Sequence, residues 1–349
     1  MSLEHAQEEV AAEDGLGLAD GFALAGAESP EVRRQNIVAL KFGGSSLLGA
    51  ERMLHAASLV RTAAQTSNIV VVVSAMKGVT DRLLSVSRSL AEGKLAHARN
   101  EAEGVIHLHF DVLQDLHLGE EGHNRVRRGL QLLGHDLLHE VPSQGRVAAT
   151  PELADCLASF GERFSARLFA AALEKSGVAA VPVSSSEFVL TCDTFRDAKP
   201  HLEETKQRGR AILHPLLEDG LVPVVTGFIG ATPDGRITTL GRNSSDFSGA
   251  IIAHVVDAEE LIIWTDVDGI YTDNPHVSAE AKLLHDLSYD EAHALAASGA
   301  KVLHPNVLPL AAETEMTIWI RNTFKPHVRG TRIGLPRTSN DRARFGGAA

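Results

Sequence analysis

The segment IVALKFGGSSLLG, residues 37–49, is a short apolar strand pattern that stops at a lysine, two glycines and two serines. The usual P-loop puts its glycines before the lysine, as G-x-x-x-x-G-K-[ST]; here they follow it, and that motif occurs nowhere in the chain. The segment reads either as a phosphate cradle or as an ordinary strand-to-helix turn with a snorkelling lysine. Its neighbours decide what kind of sheet it belongs to.

The next strand pattern is NIVVVVSAM, and a helical pattern from Glu51 to Ala64 lies between the two. Unbroken β-branched runs suit parallel strands buried on both faces. From Asp81 to His139 the spacing is helical with brief glycine breaks, which predicts a helical hairpin protruding from the sheet. PELADCLASFGERFSARLFAAALEKSG is a further helix, with Pro151 in its first turn and Gly177 at its stop. AAVPV, LVPVVTGFIG, ELIIWTD and TIWIRN are further strands, most of them separated by helices. The alternation predicts an α/β fold, a three-layer αβα sandwich around a mainly parallel sheet. Ligands of such sheets bind beyond the carboxyl ends of the strands. KFGGSS, SAMKGVT, TGFIG and WTDVDG all stand at strand ends and are therefore expected to meet in one cleft.

Composition narrows the function. With 349 residues, 44% of them hydrophobic, the chain can bury one large α/β core or two closely joined lobes. A formal net charge of −12 argues against a nucleic-acid partner. No apolar run reaches the ~18–20 residues of a membrane span. Cys156 and Cys192 are the two cysteines, and a reduced, cytoplasmic chain is the simpler reading. Residues 1–34 are acidic and rich in Ala and Gly and read as a disordered tail; residues 333–349 read as a second tail around a 35–332 domain.

Four segments carry chemistry. Lys41 offers a charge, Gly43 and Gly44 offer backbone N–H groups without a Cβ in the way, and Ser45 and Ser46 stand where the following helix would start. TTLGRNSSDFSGA, residues 238–250, places Arg242 where it can grip a carboxylate, and Asp246 opens an apolar helix; a plain N-cap with a surface arginine is the rival reading. ELIIWTDVDGIYTDNP, residues 260–275, ends a buried strand in Thr265 and Asp266, turns at Asp268 and Gly269, and offers Tyr271 to a nucleoside or to the core. GAKVLHPN, residues 299–306, adds Lys301. Two lysines and an arginine among glycine turns suit a polyanion, and phosphoryl transfer asks the protein mainly for position and positive charge. HDLLH at 135–139 imitates a zinc motif but lacks the glutamate and a third ligand, so no metal site is expected there. His107 and His109 fall on different helix faces and read as surface and packing residues.

In this order the blocks KFGGSS, VVVVSAMKGVT, SFGERFSA, VTGFIGATPDGRITTLGRNSSD, IWTDVDGIY, SYDEA, GAKVLHP and IRNTFKPHVRGT resemble the catalytic domain of aspartokinase, in the amino-acid kinase superfamily, from about Val38 to about Gly330. The resemblance implies transfer of the ATP γ-phosphoryl group to the β-carboxylate of L-aspartate, in the route to lysine, threonine and methionine. It implies an amino-acid-binding lobe over about 35–220 and a nucleotide-binding lobe over about 221–332. Lys41, Gly43, Gly44 and Ser45 would hold the transferring phosphate. Ser74, Thr80, Glu162, Phe228, Arg242 and Ser245 would hold aspartate, with Glu162 at its amine and Arg242 at its α-carboxylate. Asp246 would orient the lysines, and Thr265, Asp266, Tyr271, Lys301 and Val302 would hold the nucleotide. Mg²⁺ would arrive on the ATP phosphates, without a dedicated cage. The regulatory ACT domains usual in the family have no counterpart here, so feedback control through this chain is not expected; a homodimer or a regulatory partner chain is compatible with the reading.

Three departures stand out. Ser244 replaces a usual glycine, and its Cβ would crowd the ligand unless its φ stays negative. Asn274-Pro275-His276 replaces Asp-Pro-Arg, and Ala297 and Ser298 replace an aromatic pair. These weaken the nucleotide side and keep two alternatives open, a non-catalytic regulatory paralogue and another amino-acid kinase of the same fold.

Overall fold

In β1 (Ile37–Phe42), alternate side chains enter different cores. Val38, Leu40 and Phe42 join one hydrophobic cluster and Ala39 joins another, so the strand is buried on both faces. The computed structural model describes residues 36–142, 144, 148, 150–241, 244–273, 277–278, 280–297 and 303–335. After β1 these residues form α1 (Ala50–Ala63), β2 (Asn68–Val73), α2 (Val79–Ala91), α3 (Leu95–Asp115), α4 (Glu120–His139), α5 (Pro151–Lys175) and β3 (Ala180–Val183). Then come α6 (Leu202–Glu218), β4 (Val222–Thr226), β5 (Ile229–Ala231), β6 (Ile237–Thr239), α7 (Ser245–Val255), β7 (Glu260–Thr265) and β8 (Ile270–Tyr271). The described chain closes with β9 (Leu283–Leu284), β10 (Asp286–Leu287), α8 (Tyr289–Ala297), α9 (Val307–Glu313), β11 (Thr317–Asn322) and β12 (Thr331–Ile333).

The main sheet runs β10-β12-β11-β7-β1-β2-β4-β3. Its pairings are parallel except β11 with β12. One cluster joins β1, β2 and α1 to α5, through Met53, Leu83, Val105, Leu130 and Phe164. The other joins the opposite face to α6, α7 and α9, through Leu213, Ile251 and Leu310. The result is the three-layer αβα sandwich expected from the alternation of elements. Among the described residues no helix is long and apolar enough to cross a membrane.

Three expectations need correction. The stretch from Asp81 to His139 holds three helices, not two; α3 and α4 form the hairpin, and it packs on α2 and α5. LVPVVTGFIG is two strands, because Phe228 adopts φ +67° and breaks the run between β4 and β5. No α-helix starts at Ser45 and Ser46. A four-residue 3-10 turn, Gly44–Leu47, stands there, and α1 begins at Ala50 behind Gly49, whose φ is +84°.

His109 is the costly side chain of the helical layer. It is fully buried, stacks on Phe164 at 4.5 Å and bonds the Val105 carbonyl through Nδ1, while its Nε2 has no partner. His107, on a different face of α3, is exposed. Burial lowers the His109 pKa to about 4. The unfolded imidazole takes its proton near pH 6.5 and the folded one does not, so stability falls as pH drops from about 6.5 towards 4. In urea unfolding, His109→Leu should lose about 2–3 kcal/mol less than the wild type between pH 7 and pH 4.5.

Candidate active site

Lys41 shares a face of β1 with Ala39, so the period of two aims it at the α7 layer. It is only 5% exposed, and its Nζ lies 2.6 Å from Asp246 Oδ1 in the first turn of α7. Gly249, almost one turn further along α7, makes room for the lysine stem. A Cβ there would stand 3.2 Å from Lys41 Cβ. A buried ammonium without a counter-ion would be strongly unfavourable, and this carboxylate supplies one.

The strand ends meet as the topology requires. In the ladders Phe42 is paired with Val73 and Trp264, and Val73 with Thr226. The loops beyond them are tied together. Gly43 N donates to Trp264 O at 3.2 Å, Lys77 N to Gly44 O at 3.1 Å, Gly227 N to Val73 O at 2.8 Å, and Thr323 N to Thr265 O at 2.8 Å. The four segments picked from the sequence do converge. The reason for the glycines is partly different from the one expected. The Gly43 N–H is committed to Trp264, and a Cβ on Gly44 would stand 2.5 Å from Ala75 O. Gly44 is thus required for two loops to touch. Ser45 is half-buried and gives its carbonyl to Arg52.

On the far side of β2, Glu162 of α5 is 3% exposed. Its Oε1 accepts from Ala75 N at 3.0 Å, and its Oε2 has no partner. Burial raises its pKa to about 8 against the opposing pull of the Ala75 hydrogen bond. Ser74, the residue before Ala75, also has a buried hydroxyl without a partner. Thr80 and Ser245 are half-buried in the first turns of α2 and α7. Phe228 is held in its left-handed conformation from both sides. Its N–H donates to Ser248 Oγ at 2.7 Å, and its carbonyl accepts from Leu240 N at 3.0 Å. A bulky residue at positive φ is costly, and such strain gathers at functional sites.

Beyond β7, Thr265 is half-buried, Asp266 is exposed, and Tyr271 turns its hydroxyl to Asp268 at 3.5 Å. Asp268 also accepts from Asn322 Nδ2 and from Lys325 Nζ, which ties the β7 turn to the end of β11. Sequence reasoning left Asp268, Asn322, Lys325, Ser248 and Asp155 out of the site. The second acid of TDVDG and the lysine of TFKP were the available signals for the first and third. Arg242, Lys301 and Val302 lie outside the described residues, as do Asn274, His276 and Ser298. Ser244 is described. Its φ is −81°, and its hydroxyl donates to Gly241 O at 2.7 Å, so the feared crowding by its Cβ does not arise.

The profile of the amino acid kinase family matches residues 36–322. The chain belongs to the amino acid kinase family. It is 32% identical over 297 residues to lysine-sensitive aspartokinase 3 of Escherichia coli, covering 85% of this chain and 64% of that protein. It is 33% identical over 301 residues to the chloroplastic aspartokinase 1 of Arabidopsis thaliana, covering 84% of this chain and 51% of that one. The fold matches the crystal structure of E. coli aspartokinase III in complex with aspartate and ADP, with a TM-score of 0.78 at 31% identity over 87% of this chain and 65% of that chain. The chain therefore spans between half and two thirds of the length of these relatives.

The Lys41–Asp246 pair in this kinase-family cleft makes a stability prediction. Asp246→Ala should destabilise the protein by on the order of 2 kcal/mol, less than for a fully buried pair because the Asp246 side chain is 24% exposed. Adding Lys41→Met should recover most of that loss in a double-mutant cycle read by urea unfolding.

Proposed function

We propose that this chain is an aspartokinase, transferring the γ-phosphoryl group of MgATP to the β-carboxylate of L-aspartate. The observation that carries the reading is the pair of buried oxygens without a hydrogen-bond partner, Glu162 Oε2 and Ser74 Oγ, one strand away from the buried Lys41–Asp246 pair. A buried carboxyl oxygen without a partner is unfavourable unless a ligand supplies one. An α-ammonium group is such a ligand. An acceptor acylated on nitrogen would have no use for a carboxylate there, which disfavours that other branch of the family.

The chemistry needs charge more than proton transfer. The β-carboxylate is already anionic at neutral pH, so no general base is required. Its oxygen attacks the γ-phosphorus, the bond to the β-phosphate oxygen of ATP breaks, and ADP leaves. Two anions must approach each other, and cations between them offset the repulsion. Lys41 has three ammonium hydrogens, and one of them suffices for Asp246. The other two are available to the transferring group. Arg242 is assigned to the α-carboxylate, Phe228, Thr80 and Ser245 to the walls of the acceptor pocket, and Gly44 and Ser45 to the phosphate. Thr265, Asp266, Tyr271, Lys301 and Val302 are assigned to MgATP. The negative φ of Ser244 removes one of the sequence-based reasons for a non-catalytic paralogue.

Trapping the acyl phosphate with hydroxylamine tests the reading. Aspartyl hydroxamate should form with L-aspartate and MgATP, and its absence from an otherwise folded, ATP-binding protein would sink the assignment. In the empty site the Glu162 carboxyl carries its proton at pH 7, because its pKa is about 8. Binding an ammonium favours the ionised form, so aspartate should bind with release of close to one proton. Calorimetry in buffers of different ionisation enthalpy measures that number, and the KM for aspartate should fall as pH rises from 6.5 to 8. Glu162→Gln should lower kcat/KM for aspartate by at least ~100-fold, as expected for a charge-assisted bond, with nucleotide affinity kept. A raised folded pKa means that stability is lost as pH rises through about 8. The ligand-free Glu162→Gln protein should therefore melt above the wild type at pH 8.5, and the gap should shrink at pH 5.

A further inference from the structure

Glu162 is not the only buried carboxylate on its side of α5. Asp155 lies two helical turns earlier, on the same face, and is 2% exposed. The phosphoryl-transfer scheme gives it no task. Its hydrogen bonds nevertheless reach into the acceptor side of the cleft. Oδ2 accepts from Thr239 N at 2.8 Å and from Arg196 N at 2.7 Å, and Oδ1 accepts from Thr239 Oγ1 at 2.8 Å. Three donors converge on one carboxylate, the acceptor-only group that suits them. Burial pushes its pKa up while those donors hold it down.

The donors belong to two segments whose other described polar tie to α5 is a half-exposed ion pair between Arg236, just before β6, and Glu152 at 3.7 Å. Thr239 ends β6, and the chain continues through Leu240 and Gly241 into Arg242. Arg196 belongs to the loop before α6 and is itself held at φ +71°. That loop closes on β6, since Ala198 N donates to Thr239 O at 3.0 Å. It also crowds Gly241, whose φ is +90° and whose added Cβ would stand 3.0 Å from Asp197 Oδ1. β6 passes the constraint on to Phe228. Thr239 pairs with Ile229, and Leu240 N bonds the Phe228 carbonyl. Ser244 Oγ then bonds Gly241 O and Ser248 Oγ bonds Ser244 O, which ties Gly241 to the first turn of α7.

We propose that Asp155 is a positioning residue for acceptor recognition. It fixes the strand end that leads into Arg242, together with Phe228, at a set distance from Glu162. α5 is the ruler. Two turns of helix hold the two carboxylates about 10 Å apart along the axis. One carboxylate is assigned to the ammonium of the acceptor. The other anchors the strand end at Thr239, from which the sequence runs on to the residue assigned to the α-carboxylate. An acceptor whose amine and α-carboxylate share one carbon needs these two grips held in register. A displacement of even an ångström at such a site is expensive in rate. MgATP, assigned to the β7 side, is untouched by this brace. The proposal rests on the aspartokinase reading and adds to it the element that sets acceptor geometry.

The test is a comparison of Michaelis constants. Asp155→Asn keeps the shape but sets an amide NH₂ among N–H and O–H donors. It should raise the KM for L-aspartate by at least ~10-fold while the KM for MgATP stays within about two-fold. Thr239→Val keeps size and removes one donor, and should raise the aspartate KM several-fold. Thr239→Ser keeps the donor and should restore it. The Asp155→Asn/Thr239→Val double variant should be little worse than Asp155→Asn alone, because the two share one interaction. If Asp155→Asn fails to fold, the Thr239 pair of variants carries the comparison by itself. An unmoved aspartate KM, or equal rises for aspartate and MgATP, would overturn the role and leave Asp155 a plain structural brace. The wild-type assay separates this from the parent reading. No hydroxamate from the wild type sinks both, whereas normal wild-type turnover with unmoved variants sinks only the role of Asp155.

Discussion

An ammonium group buried in the central strand of a sheet is the constraint around which the molecule is arranged. Lys41 has parallel neighbours on both sides and a helix across its face. Such a charge is tolerable only if a counter-ion reaches it and a space is left for its stem. Asp246 and Gly249, both on α7, meet those two needs. The position of α7 is therefore tied to the chemistry of β1. The loop that precedes α7, which leads out of Gly241, is tied with it. Strand register and helix placement are parts of a single solution to one electrostatic problem.

The side of the sheet that faces α5 uses a different device. There the sheet supplies little beyond the positions of Ser74 and Ala75, and the long helix α5 supplies the carboxylates. A helix is stiff along its axis, so the groups it carries keep their spacing. The strained backbone lies opposite, at Phe228, and is held by Ser248 and Leu240. Carboxylates carried on a stiff helix and a backbone braced by hydrogen bonds thus stand at the same end of the sheet.

The sequence made the large elements legible, because continuous β-branched runs and apolar helical spacing arise from burial alone. The six strands read from NIVALKF to TIWIRN are all present, and the segments at their ends do converge. Local patterns failed where tertiary contacts choose the conformation. Nothing about Phe228 announces a left-handed residue, since glycine is the usual occupant. β8, β9 and β10 are two residues long and exist only through their partners. Asp155 looked like an ordinary polar interruption of a helix because its donors lie 41 and 84 positions away. Gly44 was picked for a backbone N–H offered to phosphate, whereas its described contact is with another loop.

The pairing of β1 with β7 has a consequence for biosynthesis. β1 leaves the ribosome well before β7, the strand that covers one of its edges and begins only at Glu260. Until then the nascent chain carries an open, strongly apolar edge with a lysine in its midst, a template for unwanted partners. The charge that serves the cleft in the finished molecule also interrupts that edge while it waits. A lysine within an unpaired strand disfavours its pairing with another chain.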